Sequence, residues 1–413
     1  MKIWILQTGE PLQIDKNGLR PMRAMNLSNA LIEKGHEVVI WSSDFDHFNK
    51  IHRFGHQYQV NHSQHLQIKL IPSRGYKSHV GLSRLIDHAQ LGINLKKMLE
   101  NELPPDVAFI GYPPIETAWV MTSWLKKKQV PSMLDVKDAW PEVLLRAVPK
   151  KLRFLGKFLL FPYFVLMRKT FKNASSISAP TKEFLKWCLD KASREVGGKD
   201  TIAPLTSPDQ KFSDTEIIEA NSWLDKMGIK DSNLTRISFI GTMNSAFDFD
   251  PIIAAAKESS AQFVIAGDGP QFKDVKGKTT GIDNFIMLGW ITSAQAKALS
   301  KRSSMLIAPF HDFADFNMSL TNKFYDAMAN GKGMLTTISG AAGDFIIEKK
   351  IGIKYFNSNV KSLIDVISRI DSDKNIIDNL SKNARNLYES EYSYSKIYGS
   401  LVNKLEKLAK NEL

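Results

Sequence analysis

The chain has 413 residues, of which 43% are hydrophobic and 24% are charged. These proportions are typical of a globular protein, so they exclude a largely disordered chain, and the length predicts two domains or more. The formal net charge of +12 indicates an acidic partner, such as a phosphorylated substrate, an anionic lipid or a nucleic acid. The single Cys188 excludes an intramolecular disulfide and a multi-cysteine metal site.

Short apolar runs alternate with helical patterns in the first half of the chain, which predicts α/β units around a parallel sheet. The first run, in residues 1–11, has no signal-peptide cleavage pattern, so we expect a buried strand and a cytoplasmic protein. A glycine-containing loop over 9–21 and a helix over 22–35 follow. Further strands are predicted in the segments 36–43, 66–73, 106–113, 131–142 and 175–181.

The alternation stops over 199–235, a polar stretch rich in Gly and Pro that predicts a linker or a long connection. It then restarts with strands in the segments 236–242, 261–269, 284–290, 304–310, 333–338 and 352–356. A strong helical pattern begins near residue 380. The chain is therefore expected to form two Rossmann-like halves, which bind ligands at the carboxyl ends of their strands.

A short helix is predicted inside residues 319–335. Two stripes recur at i, i+4 and i+8, an apolar one of Leu320, Phe324 and Met328 and a polar one of Asn322, Asp326 and Asn330. Ser319 or Thr321 can cap the start, and Gly331 can end the helix in the left-handed conformation. The polar stripe fits either a solvated face or a face that holds a ligand.

Two glycine-containing turns follow strands in the second half. Gly241 and Thr242 precede a helix and can form an anion site, although a plain βα turn is favoured for this motif taken alone. Gly267 and Gly269 resemble the start of a dinucleotide fingerprint, but Phe272 replaces its third glycine, so we expect no such cofactor.

Three stretches in the first half each allow an ordinary structural interpretation beside a functional one. Asp44 and Asp46 could mimic a metal-binding DxD sequence, but a turn is favoured, and no histidine spacing suggests a metal. Lys137, Asp138 and Trp140 follow a strand and are either catalytic groups or an ordinary turn. Residues 150–173 are apolar with basic flanks, so they form either a core helix or a segment at a membrane interface.

Taken in order, these stretches resemble a retaining glycosyltransferase of the GT-B fold, specifically glycosyltransferase family 4. The resemblance rests on "KIWILQTGEP" and "GHEVVIWSS" in the first half and on "FIGTM", "FVIAGDGP", "FIMLGWI" and "SLTNKFYDAMANGKGML" in the second. It implies an acceptor-binding domain over 1–198, a nucleotide-sugar domain over 199–385 and a helix over 386–413 that crosses back to the first domain.

The resemblance also implies roles for individual residues. Asp326 would accept hydrogen bonds from the ribose, while the loop ending at Thr321 and the ammonium of Lys323 would hold the diphosphate. The full implied donor set is Gly9, Gly241, Thr242, Gly267, Gly269, Ser319, Leu320, Thr321, Asn322, Lys323 and Asp326. The implied acceptor set is Glu10, Arg20, Arg23 and Trp140, and the implied catalytic set is Lys137, Asp138 and Lys323.

The sequence departs from the family pattern at two positions of the donor site. Met318 stands where the first of two family glutamates is usual, so Asp315 or main-chain amides would have to replace its contacts with the sugar. The Arg and Lys that often follow the "FIG" strand are also replaced, which leaves Lys323, Arg20 or Arg23 to neutralise the phosphates.

The implied function is transfer of a sugar, with retention, to a glycan or polyprenyl-linked acceptor in surface-polysaccharide biosynthesis. The implied enzyme needs neither a metal nor a cofactor, is cytoplasmic, and lies on the inner face of the membrane where anionic lipid attracts it. No nucleic acid is expected as a partner. The alternatives are a sugar-nucleotide 2-epimerase of the same fold and an inactive binding protein derived from a transferase.

Overall fold

The computed structural model describes residues 1–15, 20–77, 81–206 and 208–413, without the side chains of Ala147, Lys150 and Asp315. Part of the predicted loop over 9–21 and the side chain of the proposed substitute Asp315 therefore lie outside the described part. Two compact units are present, Met1–Pro204 with Ser395–Leu413 and Leu205–Tyr394. The acceptor and donor roles of these units stay predictions.

The first unit is built on one twisted, largely parallel sheet. Its strands are β1 (Lys2–Leu6), β2 (Glu37–Ser43), β3 (Phe45–Asp46), β4 (Ile51–His52), β5 (Tyr58–Ser63), β6 (Leu66–Ile71), β7 (Val107–Tyr112), β8 (Ser132–Val136), β9 (Ser176–Ala179) and β10 (Thr201–Ile202). The order is β10-β9-β8-β7-β1-β2-β6-β5, in which only β5 is antiparallel to its neighbour, while β3 and β4 form a separate hairpin.

Helices cover the faces of this sheet, as the βαβ pattern requires. They are α1 (Arg23–Glu33), α2 (Leu82–Leu99), α3 (Ile115–Lys127), α4 (Arg153–Leu159), α5 (Phe161–Asn173) and α6 (Lys182–Ala192). The segment 150–173, for which a core helix and a membrane-interface segment were the two predictions, contains the two helices α4 and α5. The buried strand β1 lies at the centre, where the Trp4 ring packs 5.0 Å from Trp41 and 5.5 Å from Trp124 between centroids.

The second unit contains a fully parallel sheet of the order β13-β12-β11-β14-β15-β16. Its strands are β11 (Arg236–Ile240), β12 (Gln262–Ala266), β13 (Phe285–Gly289), β14 (Met305–Ala308), β15 (Met334–Thr336) and β16 (Gly352–Lys354). Each strand lies in a segment predicted as a strand, because continuous apolar runs are typical of strands buried on both faces. The prediction of an α/β protein with two Rossmann-like halves is confirmed.

The helices of this unit begin before its first strand. They are α7 (Asp214–Lys226), α8 (Asp250–Glu258), α9 (Phe272–Lys278), α10 (Ser293–Arg302), α11 (Ala314–Met318), α12 (Asn322–Ala329), α13 (Gly340–Glu348), α14 (Val360–Ser372) and α15 (Asn375–Leu387). The final helix α16 (Tyr394–Ala409) returns to the first unit, where Glu406 lies 2.8 Å from His36.

The prediction of a linker over 199–235 was wrong for α7. Ser213 caps this helix by accepting from the Glu216 N–H, and the Glu216 carboxylate accepts from the Ser213 N–H at 2.8 Å. This capping box was readable in the sequence, but the polar composition around it concealed the signal. The Leu224 side chain, which is buried, attaches the helix to a small core with α10.

Asp44 and Asp46 stabilise turns. Asp44 accepts from the N–H groups of Phe54 and Gly55 and lies 2.8 Å from His52, while Asp46 accepts from the Phe48 N–H at 2.8 Å. Within the described residues, no group of three His, Cys, Asp or Glu side chains is arranged to hold a metal ion. Likewise, no helix in the described ranges is long and apolar enough to cross a bilayer.

Candidate nucleotide-binding site

The glycine turns that follow β11 and β12 are in direct backbone contact. A Cβ atom on Gly267 would lie 1.9 Å from the Gly241 carbonyl oxygen, and one on Gly269 would lie 2.6 Å from the Met243 oxygen. The three glycines have φ values of 140°, 142° and 147°, which side chains disfavour. The sequence therefore uses glycine where two strand ends must approach each other, and it leaves bare backbone at this edge of the sheet.

Lys323, on the first turn of α12, lies beside the same turn. Its ammonium donates to the Ile240 carbonyl at 2.5 Å and lies 4.1 Å from the centroid of the Phe239 ring. A Cβ on Gly241 would lie 2.2 Å from the Lys323 nitrogen, so these two predicted donor residues are adjacent. Thr242, the next residue, is exposed. The structure thus brings one cation and one glycine turn together, a pairing suited to a phosphate.

The N-terminus of α12 lies at the end of the predicted donor loop. Thr321 is the N-cap residue, with φ −80° and ψ 168°, but its side chain makes no capping hydrogen bond. Its hydroxyl oxygen is buried without a hydrogen-bond partner among the described residues. Ser319 and Leu320 are buried as well, so only their main-chain groups can reach a ligand. The N–H groups of the first turn are oriented for an anion at this helix end.

The apolar stripe predicted for this helix is buried, whereas the polar stripe is only partly available to a ligand. Leu320, Phe324 and Met328 are buried in the core, as predicted, and Gly331 has a φ of 59° just beyond the helix. Asn330 does not belong to a ligand-facing stripe, because its side-chain amide donates to the Asp326 carbonyl at 2.8 Å and stabilises the helix end. Asn322 and Asp326 remain half-buried on the polar side, where the ribose contact of Asp326 stays a prediction.

One candidate residue was missed by the sequence analysis. Trp290, directly after β13, is 70% exposed, which is unusual for so large an apolar side chain. Its neighbour Gly289 accepts a hydrogen bond from the Gly267 N–H at 2.6 Å, so the indole follows a residue bonded to the second glycine turn. An indole at this place can stack on a nucleobase. The sequence feature that could have identified this residue is a tryptophan at the carboxyl end of a predicted strand.

We expect Trp290→Ala to weaken nucleotide binding by about 1–3 kcal/mol, because that is the usual contribution of an aromatic ring stacked on a base. Isothermal titration with UDP, GDP and ADP would measure the effect. Trp119→Ala is the matched control, since Trp119 is also partly exposed, at 36%, but lies in α3 of the first unit. Equal affinities for the two variants would exclude Trp290 from the site.

In the first unit, Glu10 and Lys137 form an ion pair at the carboxyl ends of β1 and β8. The Glu10 carboxylate, which is 5% exposed, also accepts from the Ala24 N–H at 2.8 Å and from the Gln7 amide at 3.2 Å. Lys137 and Glu10 were predicted for catalysis and acceptor binding. The structure joins them to each other, so the charge of either is offset before any substrate binds.

Arg23 is buried, with 4% of its surface exposed, and its guanidinium lies 3.4 Å from the Asp135 carboxylate. It also donates to the Ala203 carbonyl at 2.6 Å and lies 5.5 Å from the Tyr398 ring of α16. This placement corrects the idea that Arg23 offers a free charge to phosphates or to an acceptor. Its contacts instead attach β8, the segment after β10 and α16 to one another.

Trp140 is buried too, in a cluster that the sequence analysis did not identify. The Trp140 ring lies 5.8 Å from His88 and 5.3 Å from the Arg84 guanidinium, and His88 Nδ1 lies 4.0 Å from the Glu116 carboxylate. Burial, helped by the charge of Arg84, lowers the pKa of His88 to about 3, so the imidazole is neutral at pH 7. Burial also raises the pKa of Glu116.

The remaining predicted residues lie at the ends of the same strands or in the loop that follows β1. Asp138 is exposed after β8, whereas Gly9 and Arg20 are half-buried around the loop after β1. The Gly9 N–H donates to the Gln7 side chain at 3.3 Å. The roles of these three residues stay predictions.

Residues 235–373 match the family of group 1 glycosyl transferases. Sucrose-phosphate synthase from Thermosynechococcus elongatus is similar over 99% of both chains, with a TM-score of 0.73 and 15% identity. HepE from Anabaena, solved with UDP-glucose, has a TM-score of 0.64 and 14% identity, covering 98% of this chain and 100% of its own. WaaG, a glycosyltransferase of lipopolysaccharide biosynthesis, has a TM-score of 0.66 and 13% identity, covering 98% and 99%.

No curated protein matches this sequence. The solved structures share too little sequence to show more than a common fold, and that fold is GT-B, as predicted. The narrower assignment to family 4 stays a prediction.

Proposed function

We propose that this chain, whose residues 235–373 match the family of group 1 glycosyl transferases, transfers a sugar with retention from a nucleoside-diphosphate sugar to a glycan or lipid-linked acceptor. The proposal rests on one observation: the Gly241 turn contacts both the Gly267 turn and the ammonium of Lys323. Bare backbone and a cation at the end of β11 form a site for the diphosphate, which is the leaving group of the reaction.

In the proposed reaction the bond between the anomeric carbon and the diphosphate oxygen breaks, and a bond to the acceptor hydroxyl oxygen forms on the same face. The departing phosphate oxygen takes the acceptor's proton, so a strong protein base is not needed. Lys323 and the N–H groups at the start of α12 stabilise the negative charge that develops on the diphosphate. Neither a metal nor a cofactor has a part in this proposal.

A screen of nucleotide sugars tests the proposal. Thermal shift identifies the donors that bind, and each is then incubated with and without glycan and polyprenyl-phosphate-linked acceptors. Acceptor-dependent release of the nucleoside diphosphate supports a transferase, and the anomeric configuration of the product by NMR reports retention. Isomerisation of the donor without an acceptor would instead favour the epimerase, and binding without turnover would favour the inactive binding protein. If no nucleotide sugar stabilises the chain, both the transferase hypothesis and the epimerase hypothesis are excluded.

We also propose that the reaction takes place at an anionic membrane surface. The support for this is the exposed apolar surface of α4 and the residues that flank it. Six large apolar side chains within ten residues are between 47% and 78% exposed: Leu152, Phe154, Leu155, Phe158, Leu159 and Phe161. Such a cluster is rare on a protein surface unless it meets a partner. The segment 150–173 contains seven basic residues and no acidic one. Apolar side chains ringed by cations suit a bilayer with anionic headgroups better than a protein surface.

We expect the triple variant Phe158→Ser, Leu159→Ser and Phe161→Ser to bind vesicles at least tenfold more weakly than the parent chain. Each apolar side chain of this size contributes about 1.5–3 kcal/mol when it is fully buried. Co-sedimentation with vesicles of phosphatidylcholine and phosphatidylglycerol, at low and high salt, measures the effect.

The matched control replaces Leu82, Ile93 and Leu103 with serine, since these side chains of the same unit are also well exposed but lie outside the segment 150–173. The control should bind vesicles like the parent. Equal loss in both variants, or binding that is as strong to phosphatidylcholine alone, would contradict the proposed surface.

A further inference from the structure

A cavity of about 290 Å³ lies in the second unit, at the carboxyl ends of β15 and β16. It is lined by Asp312, Thr337, Ser339, Lys354, Tyr355, Phe356 and Asn357. None of these residues belongs to the predicted donor set. The volume is just below the range of about 300–1,000 Å³ for drug-sized ligands, so it suits one small ring and not a nucleotide.

Positive charge collects on one side of this cavity. Ser339, the N-cap residue of α13, makes no side-chain capping hydrogen bond, so the first N–H groups of that nine-residue helix are left to other partners. The Lys354 ammonium lies near the same helix turn, because a Cβ on Gly343 would lie 3.0 Å from it. Among the described residues no carboxylate pairs with Lys354. A cation beside a helix N-terminus is unfavourable by itself and favours an anion between them.

Two polar groups with no partner also line the cavity. The Tyr355 side chain is 3% exposed, and its hydroxyl has no hydrogen-bond partner within the part of the chain that the structure describes. The same holds for the side-chain oxygen of Asn357. Buried polar groups are almost always hydrogen-bonded, so both point to a ligand that carries hydroxyl groups. Burial raises the pKa of Tyr355, which therefore stays protonated and can donate.

The rim supplies the remaining contacts of a sugar site. The Phe356 ring is 75% exposed beside the cavity, as a face on which the apolar side of a pyranose can lie. Asp312 is exposed and accepts from the Asn317 amide at 2.6 Å, and Asn317 in turn accepts from the Ser339 N–H at 2.9 Å. The carboxylate of Asp312 can accept a hydrogen bond from a sugar hydroxyl.

We propose that this cavity binds an anionic monosaccharide, with the phosphate or carboxylate group between Lys354 and the start of α13 and the ring hydroxyls on Tyr355, Asn357 and Asp312. The site goes beyond the proposed transfer and does not depend on it. A sugar phosphate and a uronic acid both have this chemistry, and the experiment separates them.

Titration calorimetry of the full chain with glucose 6-phosphate, glucuronate, glucose and inorganic phosphate tests the proposal. We expect at least one of the two anionic sugars to bind about tenfold or more tightly than glucose or phosphate, because a charge-assisted hydrogen bond adds to the hydroxyl contacts. Binding of glucose 6-phosphate alone would identify a phosphorylated sugar, and binding of glucuronate alone a uronic acid. Failure of both, or equal binding of inorganic phosphate or of glucose, would overturn the proposal.

Variants locate the site and separate it from the donor site. Lys354→Met should lower the affinity for the anionic sugar about tenfold, and Tyr355→Phe, which removes a single oxygen, should lower it several-fold. Lys361→Met, an exposed lysine on α14, is the control and should change nothing. Lys323→Met should also leave this binding intact, whatever it does to nucleotide sugars. Unchanged affinity in both cavity variants would overturn the assignment.

Discussion

Replacement of Gly267 by alanine should lower the free energy of unfolding of the second unit by about 3–5 kcal/mol. The new Cβ would lie 1.9 Å from the Gly241 carbonyl oxygen, which is backbone and cannot rotate away. The φ of 142° adds a conformational cost, because side chains disfavour it. Since the same contact positions both turns of the candidate site, nucleotide binding should be lost as well.

Two other glycines of the unit separate these causes. Gly281 has a φ of 82° but open space around it. Gly281→Ala should therefore lower the free energy of unfolding only by the cost of a positive φ, about 1–2 kcal/mol. Gly277, inside α9, also has open space and no positive φ, so Gly277→Ala should be neutral or more stable by about 0.5–1 kcal/mol.

Denaturant unfolding of each full-length variant measures the free energies, and hydrogen exchange in β11 and β12 reports the local effect. The order of stability should be Gly277→Ala, then Gly281→Ala, then Gly267→Ala. A Gly267→Ala variant as stable as Gly281→Ala would show that the two turns are not in contact.

Lys323→Met should lower kcat/KM for the nucleotide sugar by about 10²–10³-fold, as for the loss of one preorganised group that stabilises the leaving charge. Methionine keeps most of the side-chain volume and removes the ammonium that lies at the Gly241 turn. Some stability should be lost too, because the ammonium donates to the Ile240 carbonyl and packs over Phe239.

Lys332→Met is a matched control for that loss of stability. Lys332 follows α12, at its other end, and its ammonium donates to the carbonyls of Lys301 and Ser303 at 3.1 and 2.7 Å. Burial lowers the pKa of Lys332, and this side chain is half-buried, as is that of Lys323. Both variants should unfold at lower denaturant concentrations, but only Lys323→Met should lose donor affinity in calorimetry. Equal donor affinity in the two would remove Lys323 from the site.

The sequence by itself determined the fold class and the location of most parallel strands, but not of β3, β4, β5 and β10. Runs such as residues 236–240 and 262–266 are mostly apolar, and burial of both faces of a parallel sheet favours that composition. Glycines at 241, 267 and 269 were also readable, because a strand end that must approach another backbone has no room for a side chain. The apolar stripe of α12 followed from helical periodicity alone.

Only the tertiary structure decided which charges are available to a ligand. Three cations looked equally available in the sequence: Lys137, Arg23 and Lys323. In the structure Lys137 pairs with Glu10, and Arg23 is buried against Asp135. Lys323 instead lies at the Gly241 turn. Each pairing joins residues more than 80 positions apart, so no local pattern can reveal it. Exposure is decided in the same way: the indole of Trp290 stays in solvent while that of Trp140 is buried, because neighbouring elements cover one strand end and not the other.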